Sequence, residues 1–131
     1  MNRIIFITAT ILGMLAIVLG AFAAHGLKSL ITAESINTFE TGVRYQMYHA
    51  FYLFIIGGLK GLTEKAKRTI FYLVIIGLVF FSGSIYGLAT NALTSFDFKS
   101  IGFITPVGGL LLIIAWLVLL INFLKITTDN S

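Results

Sequence analysis

Few residues in this chain are able to do chemistry: His25, Glu40, Arg44, His49, Ser82 and Ser84, accompanied by Tyr45, Gln46, Tyr48, Tyr86 and Thr105. Cysteine is absent, which removes disulfides, thiolate metal sites and cysteine nucleophiles. Two histidines give two ligands, whereas a catalytic zinc normally takes three from the protein. Glu40 becomes a third only if the first loop folds back, so no metal and no cofactor is expected. Ser82 or Ser84 with His49 would form a nucleophile–base pair. Neither serine lies in a G-x-S-x-G elbow, and serine in a glycine-rich apolar helix most often packs. The glycines are not followed by G-K-[ST], so there is no phosphate loop. The residues taken alone point away from an enzyme.

The elements that must position them are set by composition. Of 131 residues, 58% are hydrophobic and 11% charged, with a mean hydropathy of +1.01. A soluble domain averages about 45–50% apolar and about 25% charged, and a globule this small cannot hide such an excess from water. An integral membrane protein is expected, in one domain over residues 1–131. The net charge of +4 and pI near 9.6 come without a basic stripe, so no nucleic-acid partner is expected. The charges divide the chain into four apolar spans near 4–27, 41–60, 69–91 and 103–124. About 20 helical residues cross the hydrocarbon core. The second span reaches that length from Thr41 if Arg44 snorkels outward. Backbone groups must be satisfied within each segment in lipid, which makes every span a helix. The expected fold is all-α, a four-helix transmembrane bundle.

Orientation follows from the cations. Arg3, Lys60, Lys65, Lys67, Arg68 and Lys125 fall on one side, and Lys28, Arg44 and Lys99 on the other. The positive-inside rule places both termini and the loop at 60–68 in the cytoplasm. Arg3, an apolar run and Ala21-Phe22-Ala23 imitate a cleavable signal peptide. The run exceeds the usual apolar core of about 7–15 residues, and Gly13, Gly20 and Ala24 suit helix packing, so a retained span is expected.

Between the first two spans a short amphipathic helix is expected on the outer surface, capped by Thr32 with Glu34 in its first turn. Continued at 100° per residue, it runs straight into the second span. Asn37, Glu40, Thr41, Arg44, Tyr45, Tyr48, His49 and Tyr52 then share one half of the wheel, and Phe39, Val43, Met47, Ala50 and Phe54 the other. Gln46 breaks the pattern. The polar-aromatic half is expected to face the bundle.

Depth follows from orientation. His25 lies near the outer end of the first span, and Arg44, Tyr48 and His49 in the outer part of the second. Ser82, Ser84 and Tyr86 lie in the outer half of the third, and Thr105 opens the fourth. These side chains are expected to meet in one layer, with an apolar inner half below them. Ionisable groups inside a membrane are expensive and mark function by default. The structural alternative pairs Glu40 with Arg44 and brings Tyr45 against His49, each at i,i+4, and has His25 bond a neighbouring carbonyl or hydroxyl. For Arg44 and Glu40 the structural reading is favoured, since an interfacial arginine snorkels cheaply, whereas for the histidines, which titrate near neutral pH, both readings stand. Gly83 with Gly87, and Gly57 with Gly61, form G-x-x-x-G pairs suited to close helix approach or self-association. Thr105 is the expected N-cap ahead of Pro106, and Trp116 is expected to pack.

Four segments together, 20–27 (GAFAAHGL), 39–50 (FETGVRYQMYHA), 81–86 (FSGSIY) and 105–109 (TPVGG), carry a family resemblance. The chain resembles the domain-of-unknown-function family 423, small four-helix membrane proteins widespread in bacteria, with transmembrane protein 256 as an animal relative. The resemblance implies a multi-pass protein of the bacterial cytoplasmic membrane with a retained first helix, and implies no activity. It marks His25, Arg44, Tyr45, Gln46, His49, Ser82 and Thr105 as motif positions. Ala23 stands where the family's motif leads one to expect Gly.

Two functions fit these expectations. In one, a non-enzymatic accessory protein uses the outer polar layer to bind a membrane-protein partner, a lipid headgroup or a small ligand. In the other, a small proton-linked transporter or channel uses His25 and His49 as relay groups.

Overall fold

In the computed structural model the described residues are 1–130, with side chains described through Lys125, and they contain helices and no strand. Helix α1 is Asn2–Ala24, α2 is Ala33–Gly58 and α3 is Glu64–Leu78. α3 continues through a π turn, Val79–Gly83, into α4, Ser84–Ala89, and after two short 3-10 turns α5 is Ile104–Asn130. α1 pairs most extensively with α2, and α3 with α5, while α2 also touches the π turn and α4. The result is four rods, with α3 and α4 forming one of them.

Three rods are long and apolar enough to cross a membrane: residues 2–24, 64–89 and 104–125. α2 has the length, 26 residues, but carries the polar residues of the chain and lies against all its neighbours. Protein partners rather than lipid satisfy its interior polar groups, Gln46, His49 and Tyr52, which is how a polar helix is tolerated at membrane depth. Its start matches the expectation: the Thr32 side chain accepts from the Ser35 N–H, with Glu34 in the first turn. The amphipathic stretch at 33–40 is the first two turns of this same unbroken helix rather than a separate element.

Two apolar cores hold the rods together. The larger gathers Ile5, Ala9, Leu53, Ile56, Ile70, Val74, Leu112 and Ala115 from all four rods. The smaller, at the His25 end, is Ala23, Leu27, Phe39 and Ala89. Between them α2 buries Gly42, Gln46, His49 and Ala50, and the α3–α4 rod buries Ser82 and Ile85. α5 crosses α3 and the π turn closely at glycine. A methyl group on Gly108 would collide with the backbone at Phe81, Phe80 and Gly77, and one on Gly77 would meet Leu112. Gly83, by contrast, faces open space and Gly87 meets only the Phe98 ring. Close approach therefore uses Gly77 and Gly108 and not the Gly83–Gly87 pair. A π turn adds one residue to a turn, which rotates the remainder of the rod by roughly 100° and defeats a face read at α-helical spacing.

Candidate functional site

The polar residues expected in one layer divide into an interior set and an exposed set. In the interior, Gln46 donates from Nε2 to the Leu12 carbonyl of α1 at 2.8 Å and accepts from the Tyr86 hydroxyl at 2.6 Å. The Ser82 hydroxyl donates to the Gly42 carbonyl at 2.8 Å. Ser84, on the opposite side of its rod, bonds the Thr105 hydroxyl of α5 and the Phe81 carbonyl. α5 begins at Ile104, so Thr105 lies inside its first turn, joining two rods rather than capping. Three rods thus meet in a hydrogen-bonded seam beside a cleft of about 180 Å³ lined by Leu12, Gln46, Ser82 and Tyr86.

His49 is also buried, against α5. Its Nδ1 lies 2.7 Å from the Tyr45 carbonyl, and the Trp116 indole N–H points at Nε2 from 3.2 Å. Because Trp donates only and the carbonyl accepts only, this pairing assigns the neutral ring with its proton on Nδ1. Trp116 stacks flat on Tyr52, with ring centres 4.2 Å apart, and the Tyr52 hydroxyl donates to the Ala115 carbonyl. Neither serine bonds His49, so the geometry holds no serine–histidine dyad.

The exposed set departs from the expected rotation of α2. The buried positions are Phe39, Gly42, Gln46, His49, Ala50, Tyr52, Leu53, Ile56 and Gly57, so His49 and Tyr52 of the polar-aromatic half do face inward. Phe39 and Ala50, placed on the lipid half by the wheel, are inside, whereas Arg44, Tyr45 and Tyr48 are exposed. The reason is that α2 is flanked by α1, the α3–α4 rod and α5, so its small and apolar positions are buried on several sides. Arg44 donates to the Thr41 hydroxyl at 3.0 Å and forms no ion pair with Glu40 among the described residues. An exposed pair at i,i+4 contributes only about 0.2–0.5 kcal/mol, which a hydroxyl one turn away can match. Glu40 is half-buried. His25 is exposed in the turn after α1 and takes no part in the seam.

Arg44 lies near the edge of the bundle. Gly20 packs on Val43, so Arg44 sits about one turn inside the Ala24 end of α1. Tyr45 and Tyr48 meet edge to face at 5.6 Å, and Tyr45 reaches Phe81 at 4.9 Å. Beside them a groove of about 280 Å³ opens between α2 and α5, walled by Tyr45, His49, Phe81, Leu112, Ile113 and Trp116. Trp116 is 50% exposed there. It is therefore part of this face, which its depth in the span did not suggest.

Sequence reasoning also missed Lys67. Counted with the loop cations, it is 4% exposed, and its ammonium donates to Asn2 Oδ1 at 3.0 Å and the Gly57 carbonyl at 3.2 Å. It caps the carbonyl end of α2, where the helix dipole favours a cation. The inner half is not purely apolar. The signal was available, because Lys67 shares the stripe Ile70, Val74 and Leu78 on α3.

Comparison with known proteins matches residues 19–109 to the family described as "Protein of unknown function (DUF423)". A UPF0382 membrane protein of Staphylococcus saprophyticus is 39% identical over 124 residues, 95% of this chain and 99% of that one. The UPF0382 membrane protein YwdK of Bacillus subtilis is 35% identical over 125 residues, covering 94% and 98%. A UPF0382 membrane protein of Haemophilus influenzae is 36% identical over 105 residues, covering 80% and 81%. No solved structure matches.

Proposed function

Since the chain belongs to the membrane-protein family DUF423, we propose that it is a non-enzymatic accessory protein that holds a membrane-spanning helix of a partner against its α2–α5 face. The observation that carries this reading is the exposure of Arg44, Tyr45 and Tyr48 beside the groove at Trp116. Aromatic residues and arginine are the side chains that most often anchor an interface. In the interior, no buried side-chain nitrogen or oxygen of the described residues lacks a partner. With both His49 nitrogens paired and His25 outside the seam, the geometry favours docking over proton relay. With both termini cytoplasmic, as the split of the cations predicts, this face belongs to the outer leaflet.

The test is photo-crosslinking in the native membrane. A photoreactive residue replaces Tyr48 or, on the far side of the bundle, Ile17, which is 67% exposed. A discrete polypeptide adduct at position 48, absent at 17 and lost with Arg44→Ala, supports docking. Equal products at both positions overturn it. Proton flux in proteoliposomes that is lost in His49→Phe and in His25→Phe favours the transporter instead.

A further inference from the structure

A second polar opening lies at the opposite end of the bundle, on another face. Between the start of α3 and the later turns of α5 is a cleft of about 390 Å³, walled by Thr63, Lys65, Thr69, Val118, Asn122 and Lys125. Lys65 and Lys125 are exposed, and neither forms an ion pair among the described residues. The Asn122 amide donates to the Val118 carbonyl, which leaves its second N–H and its oxygen available. Thr69 also borders a second hollow, of about 270 Å³, whose other walls are Tyr72, Leu73, Ile76 and Leu111. Because Thr69 walls both, we read the two as one furrow along the α3–α5 seam, basic at the bundle end and apolar below. From Lys65 to Ile76 it runs 11 residues of helix, about 16 Å at 1.5 Å per residue.

That shape is amphiphilic. Two ammonium groups facing one cleft repel each other unless an anion lies between them. A soluble anion would leave the apolar trough unused, and a zwitterionic headgroup brings its own cation to the lysines. We propose that the furrow binds an anionic phospholipid, its phosphate between Lys65 and Lys125 and one acyl chain along the trough from Thr69 to Ile76. Lys67 takes no part, because its ammonium is held by Asn2 and Gly57. The site is independent of the α2–α5 face and stands or falls without it.

Native mass spectrometry of the delipidated full chain tests the proposal, offering phosphatidylglycerol and phosphatidylcholine with identical acyl chains. Phosphatidylglycerol is retained preferentially. The preference falls about fivefold in Lys65→Gln or Lys125→Gln and about twenty- to thirtyfold in the double variant, because each lysine near an anionic surface counts roughly equally. Arg68→Gln, which removes an exposed cation of the same helix, leaves the preference unchanged. Ile76→Trp fills the trough and lowers retention of both lipids. Melting temperatures of all variants, unchanged from the parent, establish that the fold is intact. Equal retention of the two lipids overturns the proposal, as does a preference that survives the double variant. Displacement by millimolar inorganic phosphate also overturns it, since the cleft would then be a simple phosphate site.

Discussion

Gln46 lies between Tyr45 and Tyr48 on one helix, yet these neighbours do opposite things. Gln46 ties α2 to α1 through Leu12 and to α4 through Tyr86. Tyr45 and Tyr48 touch each other, Tyr45 also reaches Phe81, and Arg44 bonds Thr41 on its own helix. The interior group joins rods, whereas the strip of Arg44, Tyr45 and Tyr48 is exposed. Residue type did not separate them. A rotation of about 100° per residue did, and it was set by which positions of α2 its neighbours cover.

The contrast between inside and outside is widest at glycine. Gly108→Val introduces a branched side chain whose Cβ alone collides with the backbone at Phe81, Phe80 and Gly77, where nothing can move aside. Overpacking typically costs about 1–3 kcal/mol and occasionally more, and a backbone collision falls at or above the top of that range. The variant is expected to lose its monodisperse elution and cooperative melting in mild detergent. Gly83→Ala, in open space, is expected to be neutral or to stabilise by about 0.5–1 kcal/mol, the helix preference of alanine. Equal damage from the two substitutions would break the comparison at its strongest point.

The next largest effect is expected at Lys67. Lys67→Ala leaves the buried Gly57 carbonyl without its donor, while Asn2, an exposed residue, can turn its Oδ1 to solvent. Stranded buried groups cost about 1–3 kcal/mol, read as a lowered melting temperature. Lys65→Ala, exposed on the same turn, is expected to leave melting unchanged.

How much of this was legible depends on the same physics. The spans could be placed because the hydrocarbon core demands long runs free of charge, and the first, third and fourth runs are such. The Thr32 cap was visible as a hydroxyl ahead of an acidic first turn. The rotation of α2 was not, because a two-sided wheel assumes one buried half and this helix has several buried sides. Gln46, which broke the pattern, pointed to the answer: a polar side chain among apolar positions was there to bond across the interior. Lys67 was misplaced because charge alone assigned it to the loop, although its spacing from Ile70 and Val74 put it inside. The π turn left no trace in the spacing, so the glycine face that depends on it was read at Gly83 rather than at Gly108. Charge pattern and span length were sufficient for the fold class, whereas the candidate site depended on packing.

Within the interior group, Gln46→Leu sharpens the distinction between joining and presenting. It strands the Tyr86 hydroxyl and frees the Leu12 carbonyl, which keeps its helical partner. Hydrogen bonds between membrane helices average about 0.6 kcal/mol with a maximum near 1.7, so a loss of about 1 kcal/mol is expected. Chemical denaturation in mixed micelles measures it, and the double variant Gln46→Leu with Tyr86→Phe should recover part of the loss. Recovery is the decisive feature, because replacing both partners removes the stranded group as well as the bond.

The smallest effect on stability is expected where the effect on association is largest. Arg44→Ala combined with Tyr48→Ala removes two exposed side chains, one hydrogen-bonded to Thr41 and the other against Tyr45 on the same helix. Surface substitutions of this kind usually stay within about 0.5 kcal/mol, so melting and elution should match the parent. The same variant should abolish the specific adduct formed from a photoreactive residue at Tyr45, which lines the groove. An unchanged melt with a lost adduct separates presenting from joining on one helix. A lowered melt would mean that the strip supports the bundle after all, and an unchanged adduct would mean that the groove recognises its partner without Arg44 and Tyr48.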